Sequence, residues 1–202
     1  MFCNIYYMHQ LPPALVHTLN RFVQLSATEL SLLAGFMHPV VVKKGEYYLQ
    51  QGKTCNYLGF MVSGIMRVYH TANDKEYTSY FNFGGRNPFV SSYSSFITRS
   101  PSQENIHALD DSELIQIHYN DLQKLYTGSQ QFEKLGRLIA EYNYTLAVER
   151  IYSLQHNTAQ QRYLQLLEMY PNLVNAVPHH YIASYLGITP ESLSRIRKEL
   201  AS

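Results

Sequence analysis

Between His179 and Leu200 the chain reads HHYIASYLGITPESLSRIRKEL, two short helical runs broken by one glycine, the second ending in basic residues. In the first run Ile182, Ala183 and Leu186 fall at i, i+1 and i+4, an apolar face on which the small Ala183 admits a crossing helix. Gly187 supplies the left-handed residue that ends a helix, and Ile188 packs back onto the pair. Thr189 is suited to cap a second helix, Pro190 to open it, and Glu191 to sit at its positive end. The outline is a helix-turn-helix. The same spacing also fits an ordinary helical hairpin whose charged second helix is merely solvated.

If the second helix enters a DNA groove, its inward residues are Leu193 and Ile196, which leaves Glu191, Ser192, Ser194, Arg195 and Lys198 on outward or flanking faces. An arginine near the start of such a helix can bond guanine O6 and N7, and a glutamate can accept from cytosine N4. Arg195 and Glu191 are therefore the expected base readers. Ser192, Ser194, Arg197 and Lys198 are expected to hold phosphates, joined by Thr189 at the helix start and by His180 and Tyr181 from the first helix.

The 202 residues include 16 Lys and Arg against 15 Asp and Glu, a formal net charge of +1, so no general basic field draws the chain to nucleic acid. Sequence-specific binding by two copies fits that balance better than a charge clamp. Hydrophobic residues make up 46% of the chain, enough for a packed core. Cys3 and Cys55 have no CxxC spacing, which excludes a zinc knuckle or a four-cysteine cluster, and both are expected as reduced thiols. The first residues carry no basic leader, and Pro12 and Pro13 interrupt their apolar run. No stretch approaches the roughly 18 apolar residues of a membrane span, so a cytoplasmic protein is expected, with no membrane partner.

Three segments precede and include the motif. From Leu11 to Phe36, Leu15, Leu19, Phe22 and Val23 recur at helical spacing, and Ser26 is placed to cap a second helix. From about Met37 to Tyr119 the runs shorten and alternate (VVVKKGEYYLQQG, YLGFMVSGIMRVYH, EYTSYFNF, ELIQIHY), with Gly45, Gly52, Gly64 and Asn73-Asp74 as turns. That pattern predicts an antiparallel barrel or double-sheet roll, with residues 88–98 as a helix or loop inserted between strands. Helical periodicity then returns over Asp121 to Met169. Phe132, Leu135, Ile139, Tyr142 and Leu146 form a seam expected to pair two copies of one long helix, or else to pack on the roll itself. The expected fold is α+β. An antiparallel double-stranded β-roll, a cupin-like jelly roll with flanking helices, fills 1–128; a dimerisation helix follows over 129–156, and an all-α helix-turn-helix domain over 157–202.

A roll, a long helix and a C-terminal helix-turn-helix, in that order, resemble the Crp/Fnr family of bacterial transcription regulators, and most of all its Bacteroidetes branch. The residues carrying the likeness are Gly45, Gly52 and Gly64 of the roll, Gln161-Arg162-Tyr163, and IASYLGITPESLSRIRK. The resemblance implies a homodimer on an inverted repeat of double-stranded DNA, working with RNA polymerase. Family members read DNA with a glutamate and an arginine four residues later, which match Glu191 and Arg195. Many place an arginine just before that glutamate, where this chain has Pro190. Backbone contacts from a wing strand after the second helix are not assumed.

The resemblance also implies an effector pocket in the roll. Cyclic-nucleotide binders carry a Gly-Glu-Leu cassette and a later Arg-Ser/Thr-Ala. Here the corresponding stretches are Asn87-Pro88-Phe89-Val90-Ser91-Ser92 and Ser102-Gln103-Glu104-Asn105, without the ribose-binding glutamate or the phosphate-binding arginine. Cyclic AMP is not the expected effector, and no cofactor is assigned. A different small molecule would meet Tyr80, Ser91, Ser92, Tyr93, Ser94, Ser95 and Arg99, with a helix start near Ser91 able to attract an anion; the same residues can simply cap and solvate an inserted helix. Two other functions compete. A cupin-like metal enzyme would need clustered histidines, but the nine are dispersed, without HxH or HxxxH spacing, and no nucleophile elbow, Walker loop or dinucleotide fingerprint appears. A ligand-sensing module acting through protein contacts would have no use for Arg195. The expectation is a regulator, not an enzyme, with no metal site.

Overall fold

In the computed structural model, which describes residues 10–84, 87–171 and 173–201, the N-terminal prolines start a helix rather than only breaking one. Pro13 opens α1 (Pro13–Asn20), where its missing N–H is no loss. Cys3 lies outside the described residues. Ser26 caps α2 (Ala27–Phe36) through a reciprocal box: its hydroxyl accepts from Glu29 N at 3.2 Å, and Glu29 Oε2 accepts from Ser26 N at 2.8 Å.

Eight strands follow: β1 (Met37–Val42), β2 (Tyr47–Leu49), β3 (Tyr57–Ser63), β4 (Ile65–Ala72), β5 (Lys75–Phe83), β6 (Phe89–Val90), β7 (Asn105–Ala108) and β8 (Ser112–His118), with the short helix α3 (Tyr93–Thr98) between β6 and β7. They form two four-stranded sheets in the orders β1-β8-β3-β6 and β2-β7-β4-β5. β8 pairs antiparallel with β1 from Met37↔Ile117 to Val42↔Ser112, and with β3 from Tyr57↔His118 to Met61↔Leu114. Asn73 and Asp74, both at positive φ (50° and 59°), make the tight turn between β4 and β5 that matches the strands' twist. Gly64 turns β3 into β4 at φ +90°, where a Cβ would lie 2.6 Å from the Asp111 carbonyl oxygen. Residues 88–98 thus hold both a strand and a helix. β7 is not apparent in the sequence, because four residues with two inward apolar side chains, Ile106 and Ala108, give no measurable alternation.

The helical part comprises α4 (Tyr119–Gly128), α5 (Gln130–His156), α6 (Ala159–Met169), α7 (Leu173–Ala176), α8 (His179–Leu186) and α9 (Pro190–Ala201). α6 starts with a second reciprocal box, Thr158 with Gln161. The chain divides into two units: the described residues of 1–67 and 81–142 form the first, those of 68–80 and 143–202 the second. The core of the first unit includes Phe60, Met61, Met66, Val90, Ile106, Leu114 and Ile117; that of the second includes Tyr163, Leu166, Ile182, Ala183, Leu186 and Leu193.

Of the two readings the sequence left for the α5 seam, burial within its own unit holds for the first three residues. Phe132, Leu135 and Ile139 of α5 are only 1%, 6% and 9% exposed, and they line a small apolar cavity of about 60 Å³ with Leu15 and Leu19 of α1 and Phe60 of β3. Three of the five seam residues are therefore core of their own unit and unavailable to a second copy. Periodicity reveals that a face is apolar but not what covers it. Farther along α5 a different face is open: Ala140, Tyr144, Ala147, Ile151 and Leu154 follow one another at 4-3-4-3 spacing, with Tyr144, Ile151 and Leu154 73%, 51% and 45% exposed.

Candidate nucleic-acid interface and roll interior

α8 ends at Gly187 in the left-handed region (φ 69°, ψ 34°), with Ile188 N donating to Ala183 O at 3.0 Å and Gly187 N to Ser184 O at 3.1 Å. This pair of bonds is a Schellman closure, and it sets the direction in which α9 leaves. Thr189 caps α9, its hydroxyl accepting from Ser192 N at 3.3 Å. Leu193 is buried beneath α9 and Ile196 partly so, as the spacing requires. Glu191, Ser194, Arg195 and Lys198 are exposed together on the outer side. The Glu191 carboxyl is held below the ordinary glutamate range by its own backbone N–H, then by the Thr189 hydroxyl, with the Arg195 charge acting in the same direction. An ionised acceptor and a cationic donor thus stand one turn apart on one face.

The other residues expected at this interface are placed differently. Ser192 is half-buried, its hydroxyl 3.2 Å from that of Thr189. Arg197 is also half-buried, its Nη1 lying 2.5 and 3.1 Å from the two ring nitrogens of His179, so it links α9 back to the start of α8. His180 is exposed, its ring centroid 4.0 Å from that of half-buried Tyr181. Two arginines close the C-terminus of α8, a role the sequence did not suggest for either. Arg150 of α5 donates to the Tyr185 carbonyl and lies 4.0 Å over the Tyr185 ring; Arg162 of α6 donates through Nε to the Leu186 carbonyl at 2.9 Å. Cations at a helix C-terminus satisfy the carbonyls left over by the last turn. The only sequence signal was Gln161-Arg162-Tyr163, whose contact with α8 is a tertiary matter.

In the roll, Ser91, Ser92 and Ser95 are buried, Tyr80, Tyr93 and Arg99 half-buried, and Ser94 exposed. Most of their polar atoms already have protein partners. Ser91 Oγ donates to Tyr57 O at 3.2 Å; Ser95 Oγ accepts from Cys55 N at 2.9 Å and donates to Ser100 O at 2.5 Å. Arg99, itself in the left-handed region, donates through Nη1 to Cys55 O at 2.7 Å. At the cassette position Ser92 Oγ donates to Glu104 Oε2 at 2.8 Å, and Ser102 Oγ donates to Ser92 Oγ at 3.0 Å. A cavity of about 220 Å³ is lined by Tyr48, Lys53, Cys55 and Asn56 among others. Burial raises the Tyr48 phenol well above its ordinary value. Among the described residues no group of three or more His, Cys, Asp or Glu is placed to hold a metal ion, and no helix is long and apolar enough to cross a membrane.

Residues 39–129 match the family model of the cyclic nucleotide-binding domain. No curated protein matches the chain. Solved structures do: FixK2 from Bradyrhizobium japonicum, at 21% identity over 82% of this chain and 84% of that one with a TM-score of 0.69, and a Crp/Fnr-family transcriptional regulator from Eubacterium rectale, at 20% over 88% and 84% with a TM-score of 0.68. The c-di-GMP responsive regulator CLP of Xanthomonas campestris is similar at 16% identity over 87% and 92%, with a TM-score of 0.65. The stretch from residue 39 to residue 129 is thus similar to a cyclic nucleotide-binding domain. The chain as a whole has the fold of the Crp/Fnr regulators.

Proposed function

We propose that the chain is a sequence-specific DNA-binding transcription regulator that works as a homodimer on an inverted repeat, and is not an enzyme. One observation carries this reading: a Gly187-closed helix-turn-helix leaves Glu191, Ser194, Arg195 and Lys198 exposed on α9, the chemistry and spacing a major groove accepts. Glu191 and Arg195 read base edges. Thr189, Ser192, Ser194 and Lys198 meet the phosphates, with His180 at the flank. Arg197, tied to His179, orients α9 at least as much as it touches DNA.

Dimerisation uses the open face of α5 from Ala140 to Leu154, whose 4-3-4-3 spacing suits knobs-into-holes packing against a second copy. Two half-sites also compensate for the near-neutral charge. The domains are a sensor over 1–128, a dimer helix over 129–156 and a DNA-binding domain over 157–202, acting in the cytoplasm with RNA polymerase. The sensor takes a small molecule other than cyclic AMP. Where the cassette would offer an arginine to phosphate, Ser92 instead donates to the Glu104 carboxylate, which repels an incoming anion, and Ser102 donates to Ser92. That a similar fold belongs to a c-di-GMP responsive protein is consistent with a changed effector. The test is selection of bound sequences from a random duplex library at near-physiological salt. Enrichment of an inverted repeat with half-sites about one helical turn apart supports the reading; no enrichment, with or without cyclic nucleotides, defeats it.

A further inference from the structure

We infer that Ser184 is a positioning residue that fastens the helix-turn-helix to the β4–β5 hairpin and thereby fixes the direction in which α9 presents its reading face. The inference rests on the DNA-reading function proposed above. Among the described residues β5 is the last strand of its sheet, with no neighbouring strand on its outer side. Ser184, on α8, meets that edge: its hydroxyl accepts from Thr78 N at 2.9 Å and donates to Glu76 O at 3.0 Å. Residues 76 and 78 point the same way from a strand, so one hydroxyl makes the donor-and-acceptor pair that another strand would have made. Few side chains can do both; serine and threonine can, alanine cannot.

The position of this contact gives it leverage. Ser184 stands three residues before Gly187, and the carbonyls of the next two residues, Tyr185 and Leu186, are held by Arg150 and Arg162. α8 is thus pinned on one side by the hairpin and at its end by α5 and α6, while α9 leaves through a closed turn. With all these bonds made, Glu191, Ser194, Arg195 and Lys198 stay exposed, so the fastened state is the one fit to read DNA. Releasing Ser184 spreads α8 over several orientations, and apparent affinity falls with the competent fraction.

The experiment compares the full chain with Ser184→Ala and Ser184→Thr, measuring affinity for the selected operator by fluorescence anisotropy and backbone hydrogen exchange over residues 75–80 and 187–200. Ser184→Ala should weaken operator binding about five- to tenfold, as expected if the competent fraction falls by that factor, with faster exchange in both segments and an unchanged melting temperature; Ser184→Thr should restore both. Wild-type affinity in Ser184→Ala, tighter binding, or a loss that threonine does not restore overturns the inference. If the wild-type chain binds no DNA sequence, the functional reading has failed and exchange alone decides. Faster exchange in both segments then sustains the fastening role, and a change confined to 75–80 ends it.

Discussion

The Arg99 guanidinium donates to the Cys55 carbonyl at 2.7 Å and lies 4.2 Å over the Tyr119 ring. It also meets Asn56 Oδ1 and the Phe96 carbonyl, so this cation joins α3 to the segment leading into β3 and to the start of α4. Arg99→Ala should destabilise the roll by about 1–3 kcal/mol, the scale of charged hydrogen bonds with a cation–π contact. Arg99→Lys should recover only part of this, because an ammonium lacks the planar fork. Urea unfolding of the three proteins measures both differences.

Gly64→Ala tests the β3–β4 turn. The added methyl would meet the Asp111 carbonyl at 2.6 Å and the Ser112 hydroxyl, at a φ of +90° that side chains rarely adopt. A loss on the order of 3 kcal/mol is expected from strain of this kind, seen as a lower melting temperature with wild-type DNA contacts in whatever fraction remains folded.

On α9, Arg195→Ala should weaken binding to the selected operator by about 1–3 kcal/mol and to random duplex very little, the mark of a base contact. Lys198→Ala should weaken both alike and make binding less dependent on salt. Titrations at several salt concentrations separate the two; equal losses on both DNAs for Arg195→Ala would reduce that residue to a phosphate contact.

The two faces of α5 predict opposite outcomes. Ile151→Asp places a charge on the open face and should shift the chain from dimer to monomer in sedimentation with its melting curve little altered. Phe132→Ala removes a ring from the closed face and should lower stability by about 3–5 kcal/mol, the usual effect of emptying a core site of that size.

Acid should weaken the cap of α2. Glu29 is held below its ordinary value of 4.5, chiefly by the Ser26 backbone N–H and then by the Ser26 hydroxyl. Because the folded value is the lower one, its contribution is complete above the unfolded value near 4.5 and disappears as pH falls through the folded value. The urea midpoint of wild type should exceed that of Glu29→Gln near neutral pH, and the gap should close by about pH 3.

Features fixed by local chemistry were legible in the sequence. Ser26 and Glu29, Thr189 and Pro190, Gly187, and the Asn73-Asp74 turn each act within a few residues, where backbone conformation and hydrogen-bond reach are set by residue type alone. The alternation of β1 to β5 and β8 likewise announced a roll, while β7 and α7 were too short to show a period. The serines of residues 91–95 were legible as a polar run, but not as a set of bonds to Cys55, Tyr57 and Glu104 from distant segments.

The sequence by itself determined the order of roll, long helix and helix-turn-helix, and that Glu191, Ser194, Arg195 and Lys198 of α9 face outward, because periodicity, caps and turns depend on neighbours along the chain. Tertiary structure alone decided which face of α5 is closed by Leu15 and Phe60, that Arg150 and Arg162 end α8, and that Ser184 meets the outer edge of β5. Some of those contacts join residues more than a hundred positions apart, where the deciding quantity is which surfaces meet and exclude water, and no local pattern records it.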